Sequence, residues 1–231
     1  MRFGILVFPG TWSDTDCYYQ VKNILGQNAE YVWHHETSLD GFDSVILPGG
    51  FSYGDYLRPG AMARFSPVMG ALNEFVGSGR TVIGICNGFQ ILCESGLLPG
   101  ALLPNQDLEY RCQSTHLRAE RVDTPFTRLC TQGQLLDVPV SHGEGNYFAD
   151  MDTLGELEDE GQVLFRYCDS SGKPTDDANP NGSANNIAGI INQAGNVLGM
   201  MPHPERSCEA ILGSTDGNLI FESIIDNYRQ A

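Results

Sequence analysis

Residues 80–92, RTVIGICNGFQIL, constrain the fold more tightly than any other stretch of the chain. Val82, Ile83 and Ile85, with Cys86 closing the run, read as a buried strand that stops abruptly. After Asn87 and Gly88, the residues Phe89, Gln90, Ile91 and Leu92 begin a helical pattern. The frame Gly84-Ile85-Cys86-Asn87-Gly88 is G-x-C-x-G, the cysteine counterpart of a nucleophile elbow. Such an elbow places the nucleophile on a sharp strand-to-helix turn at the carboxyl edge of a sheet. There the free N–H groups of a helix start stabilise a thiolate and hold an oxyanion. A cysteine ending an apolar strand is also ordinary packing, since cysteine is among the most buried residue types. The elbow pattern alone leaves both readings open.

The surrounding pattern supplies a sheet for the elbow to belong to. Residues 3–8 form a β-rich run closed by Pro9-Gly10, and residues 15–25 carry apolar side chains near helical spacing, with Gly26 as a stop. Residues 29–33 and 43–48 read as further strands, the latter running into Gly49-Gly50, and residues 67–75 read as a helix. Alternating apolar strands and amphipathic helices predict an α/β fold with a mostly parallel central sheet flanked by helices. Beyond Gly100 the pattern shifts to short β-like runs at 107–112 and 163–168, a polar turn-rich stretch at 170–186, and a hairpin pairing 187–191 with 196–201. That predicts a smaller antiparallel portion. A closing helix is expected over 218–228, and residues 1–231 are expected to form a single domain with no internal repeat or linker.

A cysteine nucleophile needs a base. Of the five histidines, His34, His35, His116 and His142 lie in ordinary polar sequence. His203 sits in Met201-Pro202-His203-Pro204-Glu205-Arg206, directly after a strand. The flanking prolines disfavour helical geometry, so the segment is expected to be extended, with His203 and Glu205 on one side. A rigid surface turn is the competing reading. Together with the upstream elbow, the order Cys…His-x-Glu points to a triad in which thiol, imidazole and carboxylate divide attack, proton transfer and orientation.

Composition narrows the class. The net charge of −16 argues against general binding to nucleic acid or anionic membranes, which needs a positive face. Seven scattered cysteines with no C-x-x-C match neither a disulfide framework nor a zinc site, and they suit a reducing cytosol. MRFGILVFPG reads as a strand rather than a signal peptide, and no stretch approaches a membrane span, so a cytoplasmic protein without a metal is expected.

GICNGFQ (84–90) with HPER (203–206) resembles the triad, or class I, glutamine amidotransferases. The segments PGGFSYGDYLR (48–58), PVSHGEGNY (139–147), FRYCD (165–169), NPNGS (179–183) and NVLGMMPHPER (196–206) look, within that class, like the glutaminase subunits of phosphoribosylformylglycinamidine synthases. The resemblance implies a flavodoxin- or Rossmann-like sheet. It also implies that Cys86 attacks the side-chain amide of glutamine, with His203 as base and Glu205 as its orienter. It places the oxyanion between the N–H groups of Gly50 and Asn87, and the glutamine head group against Gln90, Ser141, His142 and Gly143. Ammonia would pass to a PurL-type synthetase partner, with or without a small PurS-type third subunit. ATP and magnesium are expected on that partner, and no cofactor in this chain. The absence of a P-loop fits this division of labour, and residues 52–58 are expected near the partner interface.

At residues 11–17, TWSDTDC, the sequence departs from the family's usual turn, so no contact is inferred there. Two alternatives remain at the level of sequence. One is another class I glutaminase, such as those of GMP or CTP synthesis or a γ-glutamyl hydrolase. The other is a non-catalytic binding subunit whose cysteine is structural.

Overall fold

In a computed structural model that describes residues 1–230, the chain builds one nine-stranded sheet and one two-stranded sheet. The strands are β1 (Arg2–Val7), β2 (Asn28–Trp33), β3 (Ser44–Leu47), β4 (Thr81–Ile85), β5 (Ala101–Leu103), β6 (Arg111–Ala119), β7 (Leu135–His142), β8 (Asn146–Phe148), β9 (Val163–Cys168), β10 (Ile187–Ile191) and β11 (Val197–Met200). The helices are α1 (Asp14–Tyr19), α2 (Val68–Gly77), α3 (Asn87–Glu94), α4 (Met151–Asp159) and α5 (Asn218–Gln230). The large sheet runs β2-β1-β3-β4-β11-β10-β9-β6-β7, and β5 pairs with β8. The first five strands in that order are parallel and the remaining pairings antiparallel. The expected α/β fold is therefore present.

Burial follows the patterns that the residues carry. Every residue of β3, β4, β10 and β11 is buried, as expected of apolar strands covered on both faces. In β7 burial alternates strictly, so Leu136, Val138, Val140 and His142 share the inward face. Helix α3 buries six consecutive residues from Asn87 to Leu92, and the Phe89 ring stacks on Tyr147 with centroids 5.8 Å apart. A fully buried Phe or Ile of this kind contributes about 1.5–3 kcal/mol.

Four boundaries differ from expectation. The 15–25 segment is helical throughout, but its second half, Gln20–Ile24, widens to π geometry. The helix expected to end at Phe75 continues through Gly77, because Gly77 lies on an open side where a missing side chain costs only propensity. The strand expected over 107–112 begins only at Arg111 and runs on to Ala119, since residues 107–110 turn about Leu108 at φ 60°. After β11 the chain does not stay extended: Pro204–Arg206 is a 3₁₀ turn, with Pro204 at its first position, where no N–H is needed.

Candidate active site

Three strand ends converge at the carboxyl edge of the parallel sheet, where ligand sites of open α/β sheets form. Strand β4 ends at Ile85, and Cys86 directly after it adopts φ 52° and ψ −107°, a conformation that costs a non-glycine residue about 1–3 kcal/mol. Its amide donates to Met200 O at 2.8 Å, tying the elbow to β11. A side chain on Gly88 would run into the Leu47 carbonyl oxygen, which is why the frame closes on glycine. Gly88→Ala is accordingly expected to destabilise the fold by about 3 kcal/mol, read as a lower denaturant midpoint.

Strand β3 delivers Gly49 and Gly50. A methyl group on Gly49 would lie 2.7 Å from His203 Cε1 and 3.3 Å from Cys86 Cβ, so glycine there lets the imidazole and the thiol approach each other. Gly50 sits at φ 149°, and a side chain would meet Trp12 N at 2.5 Å. Its N–H donates no hydrogen bond among the described residues. The Asn87 amide, at the first residue of α3, likewise has no acceptor within its helix. These are the two donors expected of an oxyanion hole. The 11–17 turn braces them, because Trp12 N and Ser13 N both donate to Gly49 O at 3.0 Å. Arg206 Nη2 donates to Ser13 Oγ at 2.9 Å and Arg206 Nε to Asp16 at 3.1 Å.

The third element follows β11. His203 Nδ1 lies 2.6 Å from Glu205 Oε1, and both residues are 2% exposed. The pairing across i and i+2 arises from the 3₁₀ turn rather than from an extended chain. It assigns the proton to Nδ1 and leaves Nε2, which has no hydrogen-bond partner, to receive a proton. Burial works against the imidazolium, but Glu205 and then the nearby Cys86 outweigh it, raising the His203 pKa to about 10. The His203 amide donates to Pro139 O at 2.8 Å, and Cys86 Sγ reaches Ser141 O at 3.7 Å. Strand β7, at the far end of the sheet order, thus returns to cover the triad.

Around Cys86 the cavity has two lobes, of about 260 and 200 Å³. Gly50, Phe51, Cys86, Tyr110 and Ser141 line both. His203 and Arg206 line the first, and Gln90, His142, Gly143, Asp55 and Glu144 the second. All nine residues singled out from the sequence lie in or beside this cavity. Gln90 is not an exposed helix residue: its Oε1 accepts from Asn87 Nδ2 at 2.9 Å and its Nε2 donates to Glu144 O at 2.6 Å. His142 is 3% exposed, bonded through Nε2 to Asn181 Nδ2 at 2.9 Å, and burial and then His203 push its pKa down to about 3. Among the described residues no cluster of His, Cys, Asp and Glu could hold a metal ion. No helix among them is long and apolar enough to cross a membrane.

Residues 1–218 match the family model of the CobB/CobQ-like glutamine amidotransferase domain. Phosphoribosylformylglycinamidine synthase subunit PurQ of Moorella thermoacetica is 57% identical over 226 residues, covering 98% of this chain and 96% of the relative. The PurQ subunit of Salinibacter ruber is 55% identical over the same shares. The chain belongs to the PurQ family of glutamine amidotransferases.

A solved structure described as PurLQS from Thermotoga maritima superposes with a TM-score of 0.87 at 39% identity, covering 98% of both chains. Against this PurQ-family frame, sequence reasoning missed Asp55, Tyr110 and Glu144 as cavity residues. Asp55 and Glu144 lie inside segments quoted for the resemblance and Tyr110 inside the strand expected over 107–112, but nothing local says that any of these side chains faces the cysteine. The loop of 170–186 was also more than a turn-rich connection. Its Asn181 and Ser183 are buried, and Asn181 holds His142, Gly145 and Tyr167 together.

Proposed function

We propose that this chain is the glutaminase subunit of phosphoribosylformylglycinamidine synthase in purine biosynthesis. It hydrolyses glutamine to glutamate and hands the ammonia to a PurL-type synthetase, in company with a PurS-type subunit. The reading rests above all on one observation: a buried cysteine–histidine–carboxylate set at the mouth of a cavity with two free amide donors.

The Cys86 thiol gives its proton to His203 Nε2, whose raised pKa favours the imidazolium, and Sγ then attacks the γ-carboxamide carbon. The oxygen of the tetrahedral intermediate settles between the N–H groups of Gly50 and Asn87, where one such donor contributes about 2.7–4 kcal/mol. His203 returns the proton to the leaving nitrogen, ammonia departs, and a γ-glutamyl thioester remains. Water, deprotonated by His203, then attacks the thioester and releases glutamate. Glu205 holds the imidazole in its tautomer and stabilises the imidazolium. Gln90 and the backbone of Ser141, His142 and Gly143 form the wall for the amino-acid end of glutamine. The synthetase carries ATP and magnesium and converts formylglycinamide ribonucleotide to formylglycinamidine ribonucleotide. This chain contributes a single glutaminase domain over residues 1–231. A cytoplasmic location suits its seven free cysteines.

The test is glutamine hydrolysis by purified protein mixed with PurL-type and PurS-type subunits and formylglycinamide ribonucleotide. Stimulation by that mixture, and not by the synthetases of GMP or CTP formation, is the expected outcome. Stimulation by another synthetase instead would overturn the assignment. Glu205→Gln in the same assay is expected to lower kcat by about 10²–10⁴-fold with little change in KM. Unchanged turnover would remove Glu205 from its role.

A further inference from the structure

The turn at residues 11–17 leaves the family's usual sequence, and no step of the glutaminase chemistry uses its side chains. Ser13 occupies the N-cap position of α1 and is 1% exposed, yet its hydroxyl accepts nothing from the first turn of that helix. Serine is favoured at such a position because its oxygen satisfies one of the free N–H groups there. Here Oγ accepts instead from Arg206 Nη2 at 2.9 Å. Arg206 Nε donates at 3.1 Å to Asp16 Oδ2, in the first turn of the same helix, so one planar guanidinium clasps two points of the segment. Ser13 Oγ also stands 3.2 Å from where a side chain on Gly49 would begin, so the hydroxyl packs directly on the oxyanion strand.

The backbone of the clasped turn grips that strand as well. Trp12 N and Ser13 N both donate to Gly49 O at 3.0 Å, Phe51 N donates to Gly10 O at 2.9 Å, and Thr11 bridges Gly50 in antiparallel register. Gly49 O and the Gly50 N–H belong to one peptide unit. In a trans peptide the two point in opposite directions, and no peptide bond among the described residues is cis. Fixing the oxygen on residues 12 and 13 therefore aims the Gly50 N–H away from the turn, where it meets no acceptor in the chain. Glycine on both sides offers little resistance to rotation of this peptide, so the hold on its oxygen decides its orientation. Resting on the proposed glutaminase function, we infer that Ser13 is a positioning residue for the oxyanion. Clasped by Arg206, it keeps the Gly49–Gly50 peptide turned so that the Gly50 N–H meets the developing negative charge. Because Arg206 follows Glu205 in the turn Pro204–Arg206, the same clasp sets the oxyanion donor relative to the carboxylate that orients His203.

The test uses the assembled complex with its synthetase and reads two reactions of Cys86. Attack on glutamine builds an oxyanion. Alkylation by iodoacetamide does not: the sulfur–carbon bond forms as the carbon–iodine bond breaks, and iodide leaves with the electron pair. Ser13→Ala is expected to lower kcat for glutamine by about 10–100-fold, less than the loss that follows outright removal of an oxyanion donor. KM should change by about twofold or less, since the contact is made in the transition state. The rate at which iodoacetamide modifies Cys86, followed by mass, and the pH profile of that rate should stay at wild type. Arg206→Lys keeps the charge but cannot hold two partners from one planar fork, and should show the same split. Ser13→Thr, which retains the hydroxyl, should recover most of the turnover lost in Ser13→Ala. An unchanged kcat in Ser13→Ala overturns the inference. Alkylation that falls in step with turnover also overturns it, because the clasp would then act on the thiol and imidazole or on the fold. Ammonia-dependent synthesis at the wild-type rate reports that each variant complex is assembled. A wild-type complex that hydrolysed no glutamine would instead sink the functional reading itself.

Discussion

Cys86→Ala is expected to abolish glutamine-dependent synthesis by the assembled complex while leaving ammonia-dependent synthesis intact. Removing the nucleophile of a covalent mechanism removes the whole route, so the loss should reach about 10⁴-fold or more, as it does when a triad member is deleted elsewhere. The fold should survive. The sulfur's one hydrogen bond is the long contact to Ser141 O at 3.7 Å, whereas the elbow is held by backbone bonds, Cys86 N to Met200 O and Gln90 N to Cys86 O. Alanine has the same backbone demands as cysteine at φ 52°, so the strain is unchanged. Steady-state rates with glutamine and with ammonium chloride separate the outcomes. Residual glutamine-dependent synthesis near the wild-type rate would mean that the cysteine is only packing.

The second large effect is on stability. His142 is buried and its pKa falls to about 3, from an ordinary value near 6.5, because burial disfavours the charged ring and His203 repels it. The unfolded chain therefore binds more protons than the folded one between these two values, and stability rises with pH across that window. The contribution is complete above pH 6.5 and is lost as pH falls toward 3. A depression of this size corresponds to roughly 5 kcal/mol in all, and about half of it is already lost at pH 4.5. His203 acts with the opposite sign: its pKa is raised to about 10, so its contribution is whole below 6.5 and is lost as pH rises through 10. Denaturant unfolding at pH 6.5 and pH 4.5 checks the first claim by comparison with His142→Gln, whose amide oxygen can still accept from Asn181. The variant should lose less stability than the wild type over that interval. Equal losses would show that the carboxylates alone set the acid limit.

How far the sequence revealed all this depended on whether a side chain's task was local. The elbow was legible because three constraints coincide within five residues: an apolar strand, a cysteine at its end, and glycines on both sides. The hairpin of β10 and β11 and the strand running into Gly49-Gly50 were legible for the same reason. His203 and Glu205 were paired correctly on a partly wrong premise. The prolines do exclude a helix at Met201 and His203, but Pro204 then starts a 3₁₀ turn, which brings the carboxylate onto Nδ1 just as an extended chain would have placed it alongside. Asp55 and Glu144 were not legible, because their environment is made by the folding of β7 over the cysteine. His142 looked like an ordinary polar-context residue. Its burial depends on Asn181, which arrives from the end of a loop that composition alone describes as merely polar.

The return of β7 to the triad has a consequence for the life of the chain before it is complete. The nucleophile comes from β4, the cover from β7 and the base from the turn after β11, so the site draws on segments spread over more than half of the sequence. Contacts of such sequence separation form late, after their loop-closure entropy has been overcome. A ribosome-bound fragment carrying Cys86 but not yet β11 lacks both the strand that ties the elbow and the histidine that takes the thiol proton. The first competent molecule is therefore one whose last strand has already been laid into the sheet.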